Sequence, residues 1–206
     1  MKNTKSTYHH GDLKQSLVLT ATKILKEDGV DGLSMRKLAD QVGVSRTAPY
    51  HHFKDKTALL CNIAEQGFLL QSKNLSTYII NPKKSNCLTL FKEYVYSYIQ
   101  FAEEHRETYD LMFGRDIWKA ETLTDSLKSE SKNSFKLWVQ WVEILQKEEV
   151  LPKTDPPLRV AQTTWATLHG MCRLLIDGIY LDNQDLAIMT QSAINLLTHK
   201  NQTNVS

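Results

Sequence analysis

The chain has 206 residues, 41% of them hydrophobic, and a formal net charge of +2. That length carries one large or two small domains with a real core and no need of staples. The polar N-terminus has no apolar signal core and no run reaches the length of a membrane span, so a cytoplasmic protein without a membrane partner is expected.

The charge is unevenly spread. Through Lys56 the chain has ten Lys or Arg against six Asp or Glu, and the remaining 150 residues have fifteen against seventeen. A basic head on a mildly acidic body suits nucleic acid as the partner of the head. Cys61, Cys87 and Cys172 are scattered without disulfide or metal spacing. They read as reduced packing thiols, with a redox sensor as the alternative.

Residues 1–10 read as a polar arm in which Lys2 and Lys5 can touch a nucleic-acid backbone; Tyr8, His9 and His10 lack the further ligands a metal site needs. From Asp12, the spacing of Leu13, Leu17, Ala21, Ile24 and Leu25 predicts one apolar helix face, closed by Gly29. In LSMRKLADQVGVSRTAPYHHFKDK, residues 33–56, Ser34 is placed to cap a short helix with Leu38, Ala39 and Val42 on its buried side, and Gly43 is placed to end it. Ser45 is then expected to cap a second helix after a tight turn. Two short helices at a steep angle form a helix-turn-helix, whose second helix protrudes.

The pair, and its second helix above all, concentrates groups suited to duplex DNA. Arg36 and Arg46 have the fork that pairs with guanine, Thr47 and Ala48 can meet a thymine methyl, and Ser34, Ser45, Tyr50, His51 and Lys56 can reach phosphates, with His52 beside them. Asp55 is a cap for the next helix, so Lys56 and the free N–H groups there can share one phosphate. Pro49 removes a backbone donor near the start of the second helix and restricts Ala48, which predicts a loosened or late first turn.

A long helix follows from Asp55 toward Tyr78, with Leu59, Leu60, Ile63, Phe68 and Leu69 as its buried side, and Pro82 stops it within Asn81 to Ser85. Leu88 to Glu104 has Phe91, Tyr94, Tyr98 and Phe101 at helical spacing, Gly114 marks a break, and Leu123 to Glu149 forms another long helix. After Pro152, Pro156 and Pro157, two amphipathic helices end the chain, the first carrying Trp165, Leu168, Cys172 and Leu175 and the second Leu186, Met189, Ala193 and Leu196. No catalytic set, glycine-rich phosphate loop or zinc spacing emerges, and no cofactor is expected.

Gly29, the run LSMRKLADQVGVS, Tyr50, Phe53, Lys56 and Leu59 resemble the N-terminal signature of the tetracycline-repressor-like (TetR) transcriptional regulators, and YHHGDLKQSLVLTA with Trp165, His169 and Gly170 of WATLHG resembles a branch with a Trp-His-Gly C-terminal domain. The resemblance implies an all-α protein: a three-helix helix-turn-helix domain over residues 1–56, then a larger helical effector-binding and dimerisation domain over 57–206. It also implies a homodimeric repressor that binds an inverted-repeat operator in double-stranded DNA and is released by a small-molecule effector. The implied pocket draws on Tyr94, Tyr98, Met112, Trp118, Trp138, Trp165 and His169, although aromatic stripes also serve as plain core and His169 as a hydrogen-bonded core histidine. The implied dimer interface pairs the last two helices through Trp165, Leu168, Leu175, Met189, Ala193 and Leu196. An α-helical enzyme acting on an apolar substrate is the alternative.

Overall fold

The computed structural model describes residues 10–79, 86–118, 123–179 and 183–198, and the regular structure among them is helical throughout. In chain order the helices are α1 (His10–Gly32), α2 (Met35–Val42), a 3-10 turn (Ala48–His51), α3 (Lys56–Ile79), α4 (Cys87–Glu104), α5 (Arg106–Phe113), α6 (Arg115–Trp118), α7 (Asp125–Lys147), α8 (Pro157–Ile176) and α9 (Asn183–Thr198). The all-α expectation holds. Tyr8, His9 and the predicted stop at Pro82 lie outside the described residues. Among those residues no helix is long and apolar enough to cross a membrane.

The chain divides into two compact units, Met1–Gly67 with Glu107–Lys128, and Phe68–Arg106 with Ser129–Ser206. In the first, Leu17, Ala21, Ile24 and Leu25 form the buried face of α1, as their spacing predicts, and the core also takes in Leu33, Leu38, Ala39, Phe53, Leu59 and Ile63. Gly29 (φ 67°, ψ −173°) interrupts α1, and one further turn carries it to Gly32. Ser34 caps α2 by accepting the Lys37 N–H at 3.1 Å. Gly43 ends it at φ 77°, a left-handed conformation in which its N–H reaches the Ala39 carbonyl at 3.0 Å.

The second helix of the expected pair is replaced by something shorter. Ser45 does not cap an α-helix; its hydroxyl meets that of Thr47 at 3.1 Å, and Thr47 takes the cap position of a single 3-10 turn. Pro49 has no N–H for the Ser45 carbonyl, which instead accepts from Ala48. The next bonds, Tyr50 to Thr47 and His52 to Pro49, keep the tighter register. A late first turn was expected from Pro49; the whole element is that turn.

In the second unit α4 packs against α8 and α9, which also pack together. Its centre is aromatic: the Tyr94 ring lies 5.6 Å from Tyr78, 5.4 Å from Trp138 and 4.9 Å from Trp141. The indole N–H groups find acceptors, Trp138 in the Ala161 carbonyl at 2.9 Å and Trp165 in the Tyr98 hydroxyl at 3.2 Å. The stretch Leu88 to Glu104, helical by its spacing, is α4; at its cap His105 the φ of −124° and ψ of 45° leave helical geometry, and α5 starts at Arg106.

Candidate functional site

The segment from Ser34 to Lys56 builds a polar rim on two buried anchors. Pro49 and Phe53 turn inward, and between and around them Ser34, Arg36, Ser45, Arg46, Thr47, Tyr50 and His51 are exposed. Tyr50 keeps 54% of its surface free, far more than a core tyrosine would. Ala48, His52 and Lys56 are half-buried. The ring of Phe53 also carries the Lys14 ammonium 5.9 Å from its centroid, which fixes a cation of α1 beside the turn.

An open groove runs along α2, lined by Ser34, Arg36, Lys37, Asp40 and Gln41. Sequence reading named only the first two. The spacing of four residues from Arg36 to Asp40 and from Lys37 to Gln41 puts both pairs on one helix face, which was the available signal. Lys37 is already engaged by the Asp28 carboxylate, so Arg36, which pairs with no acid among the described residues, supplies the groove's guanidinium and Gln41 a carboxamide.

Asp55 behaves as expected, its carboxylate accepting the Ala58 N–H at 2.8 Å at the start of α3. Lys56 has an unforeseen partner: its amino group donates to the Val30 carbonyl. An ammonium has three donors, so this contact orients the side chain without exhausting it.

Of the residues expected to line an effector pocket, Tyr94, Tyr98 and Trp138 are buried in the second unit, where Trp165 and His169 are half-buried. Met112 and Trp118 belong to the first unit, where the Trp118 indole donates to the Met112 carbonyl at 2.7 Å. Burial, and then its neighbours Tyr98, Cys172 and Tyr78, raise the Tyr94 pKa well above the ordinary tyrosine value, so its hydroxyl stays neutral. His169 stacks on Trp165 with ring centroids 5.3 Å apart, and burial followed by the Arg173 charge lowers its pKa. The sequence did not mark Gln71, a buried side chain of α3 whose carboxamide, among the described residues, lacks a hydrogen-bond partner at either end. Its polar type alone gave no hint of burial.

Three residues expected at a dimer interface point the other way. Leu168, Leu175 and Ala193 are buried within the protomer and have little area left for a second copy. Trp165 and Met189 are half-buried, Leu196 is exposed, and Leu174 and Ile188 are exposed on the same two helices.

Residues 17–62 match the family described as "Bacterial regulatory proteins, tetR family", and residues 91–197 match "Tetracyclin repressor-like, C-terminal domain". The tetracycline repressor protein class A from transposon 1721 of Escherichia coli is 48% identical over 50 residues, which are 24% of this chain and 23% of that protein. The class C repressor of Escherichia coli is 42% identical over 52 residues, 25% of this chain and 24% of that repressor, so the chain spans about a quarter of these relatives. A solved protein of unknown function from Rhodococcus sp. RHA1 is similar over 95% of this chain and 100% of its own, at 31% identity and a TM-score of 0.76. With both halves matched in order and one relative aligned end to end, the chain belongs to the TetR family of bacterial regulatory proteins.

Proposed function

We infer that this protein is a cytoplasmic, homodimeric transcriptional repressor that binds an inverted-repeat operator and is released by a small-molecule effector. The polar rim carries this reading: a short turn anchored by Pro49 and Phe53 holds Arg46, Thr47, Tyr50 and His51 outward beside Ser34 and Arg36. Arg36, Arg46 and Thr47, with the Ala48 methyl, read bases; Ser34, Ser45, Tyr50, His51 and Lys56 hold phosphates, and His52 borders them. Residues 1–56 act as the reading head and 57–206 as the effector and dimer body. Trp165, His169 and Gly170 favour the Trp-His-Gly branch for that body.

Dimerisation through α8 and α9 sets two heads about 34 to 36 Å apart, facing successive major grooves. An effector bound in the second unit favours a spacing that no longer fits the operator. Helix α3 starts at the Asp55 cap and continues unbroken to Ile79, which suits it to carry that change.

The test is selection of bound duplexes from a random DNA library by the purified protein at near-physiological salt, where non-specific phosphate binding is suppressed. An inverted repeat is the expected product. Folded protein that enriches no motif would overturn the reading.

A further inference from the structure

Four buried polar side chains of the second unit are described, and three are satisfied. The Gln146 amide donates to the Pro152 and Asp155 carbonyls at 2.6 and 3.0 Å, Thr164 donates to the Val160 carbonyl at 2.7 Å, and Thr190 to the Leu186 carbonyl at 2.7 Å. Gln71 is the exception. It is 4% exposed, and among the described residues neither its Oε1 nor its Nε2 has a hydrogen-bond partner; the neighbouring Ser72 hydroxyl is also buried without one among them. Burying an amide with nothing to bond costs roughly 1–3 kcal/mol, which folding alone would not retain.

The surroundings of Gln71 follow from helix register. Tyr78 packs on Tyr94, and Asn74 donates to the Ser97 hydroxyl at 2.9 Å, so α3 and α4 run antiparallel. Stepping back one turn from Asn74 brings Gln71 level with Gln100 and Phe101 of α4, one turn past Tyr98, which is itself buried. The Tyr98 hydroxyl in turn accepts the Trp165 indole N–H. Gln71 thus shares with Asn74 and Tyr78 the face of α3 that meets α4 and its aromatic cluster.

We propose that Gln71 is the polar anchor of the effector site and that the effector is a neutral, mostly aromatic molecule presenting a donor and an acceptor side by side to the carboxamide. This rests on the effector reading above and adds the ligand's chemistry to it. A carboxamide offers an N–H and a C=O about as far apart as those of a lactam, so a cyclic amide completes both bonds at once. Neutrality follows from the composition of the interior: among the described residues, the buried side chains of the second unit include no charged group to pair with an ion. The half-buried His169 is itself held toward its neutral form.

Calorimetric titration of the full-length protein with 2-quinolone, N-methyl-2-quinolone and 2-naphthoate tests this. The first has both donor and acceptor, the second lacks the donor, and the third is an anion of similar size. Expected is binding of 2-quinolone about tenfold tighter than its N-methyl analogue, with the anion weakest. Gln71→Met should erase the tenfold preference, leave affinity for the N-methyl compound within about twofold, and raise the melting temperature of ligand-free protein by removing an unpartnered amide. Gln71→Leu repeats the comparison if the first variant folds poorly. A preference that survives both substitutions overturns the anchor while leaving the effector reading intact. Tightest binding of the anion, or no binding of any probe, overturns the ligand class while leaving the effector reading intact.

Discussion

The Lys56 amino group donates to the carbonyl oxygen of Val30, tying the first residue of α3 to the end of α1 just past its Gly29 interruption. The same residue is proposed to hold a phosphate, so its two roles should separate in a mutant. Lys56→Met keeps the apolar stem but loses the charge and the bond. We expect about 1 kcal/mol less stability in urea unfolding. DNA binding should weaken about equally for all sequences, with the slope of log affinity against log salt reduced by about 1. An unchanged slope would remove Lys56 from the phosphate contacts, and an unchanged midpoint would show that the tie to Val30 is incidental.

Gly29 combines φ 67° with ψ −173°, a region that side chains other than glycine avoid. Among the described residues no atom lies within 4 Å of a Cβ built there, so strain in the backbone is the obstacle to a larger residue. Gly29→Ala should therefore cost about 1 to 3 kcal/mol of stability by chemical denaturation, although alanine is the better helix former. A gain in stability would mean that α1 can run straight through this point. Gly29→Asn should cost less than Gly29→Ala only if the substituted residue relaxes to the left-handed helical region.

His169 gives stability a pH dependence of definite sign. Burial first, and then Arg173, hold its pKa below the ordinary 6.5, so the unfolded chain takes up a proton at a pH where the folded chain does not. Stability should fall as pH drops below about 6.5 and level off once the folded imidazole is also protonated. His169→Gln removes this contribution while carboxylate contributions remain common to both proteins. Melting temperatures of the pair, followed from about pH 8 to about pH 5, should converge toward low pH. Parallel curves would show that the folded environment leaves the imidazole unperturbed.

Features that depend on neighbours in the chain were the legible ones. Ser34, Gly43 and Asp55 each perform the cap their positions suggested, because a cap needs only a few consecutive residues. Pro49 announced a defect, but how far the 3-10 register would spread depended on the Ser45–Thr47 pairing and on burial of the proline itself. The aromatic stripe of α4 marked its extent to Glu104, whereas the short α5 that starts at Arg106 had no such stripe to mark it. On α8 and α9 apolar residues occur on both the inner and outer sides, so periodicity could not decide whether Leu168 or Leu174 faces the protomer's core. Gln71 was illegible for the same reason: a polar residue on a long helix reads as exposed until the helices around it are placed.

That ambiguity on α8 and α9 leads to a test of the dimer. Ile188 and Leu196 expose 65% and 79% of their surfaces on α9, and Leu174 is exposed on α8. Each Ile or Leu covered by a second copy gains roughly 1.5–3 kcal/mol, and two-fold symmetry counts every contact twice. A glutamate in its place must instead be desolvated. The double variant Ile188→Glu with Leu196→Glu should sediment as a monomer at micromolar concentration and lose its preference for inverted repeats over single half-sites. Its helix content should be retained, because neither side chain belongs to the protomer's core. Leu168→Ala is the counterpart: it should cost about 2–5 kcal/mol of stability through a cavity. The folded fraction should still assemble. Persistence of the dimer in the double variant would place the interface elsewhere, and loss of the dimer in Leu168→Ala at conditions where it remains folded would return Leu168 to the contact between copies.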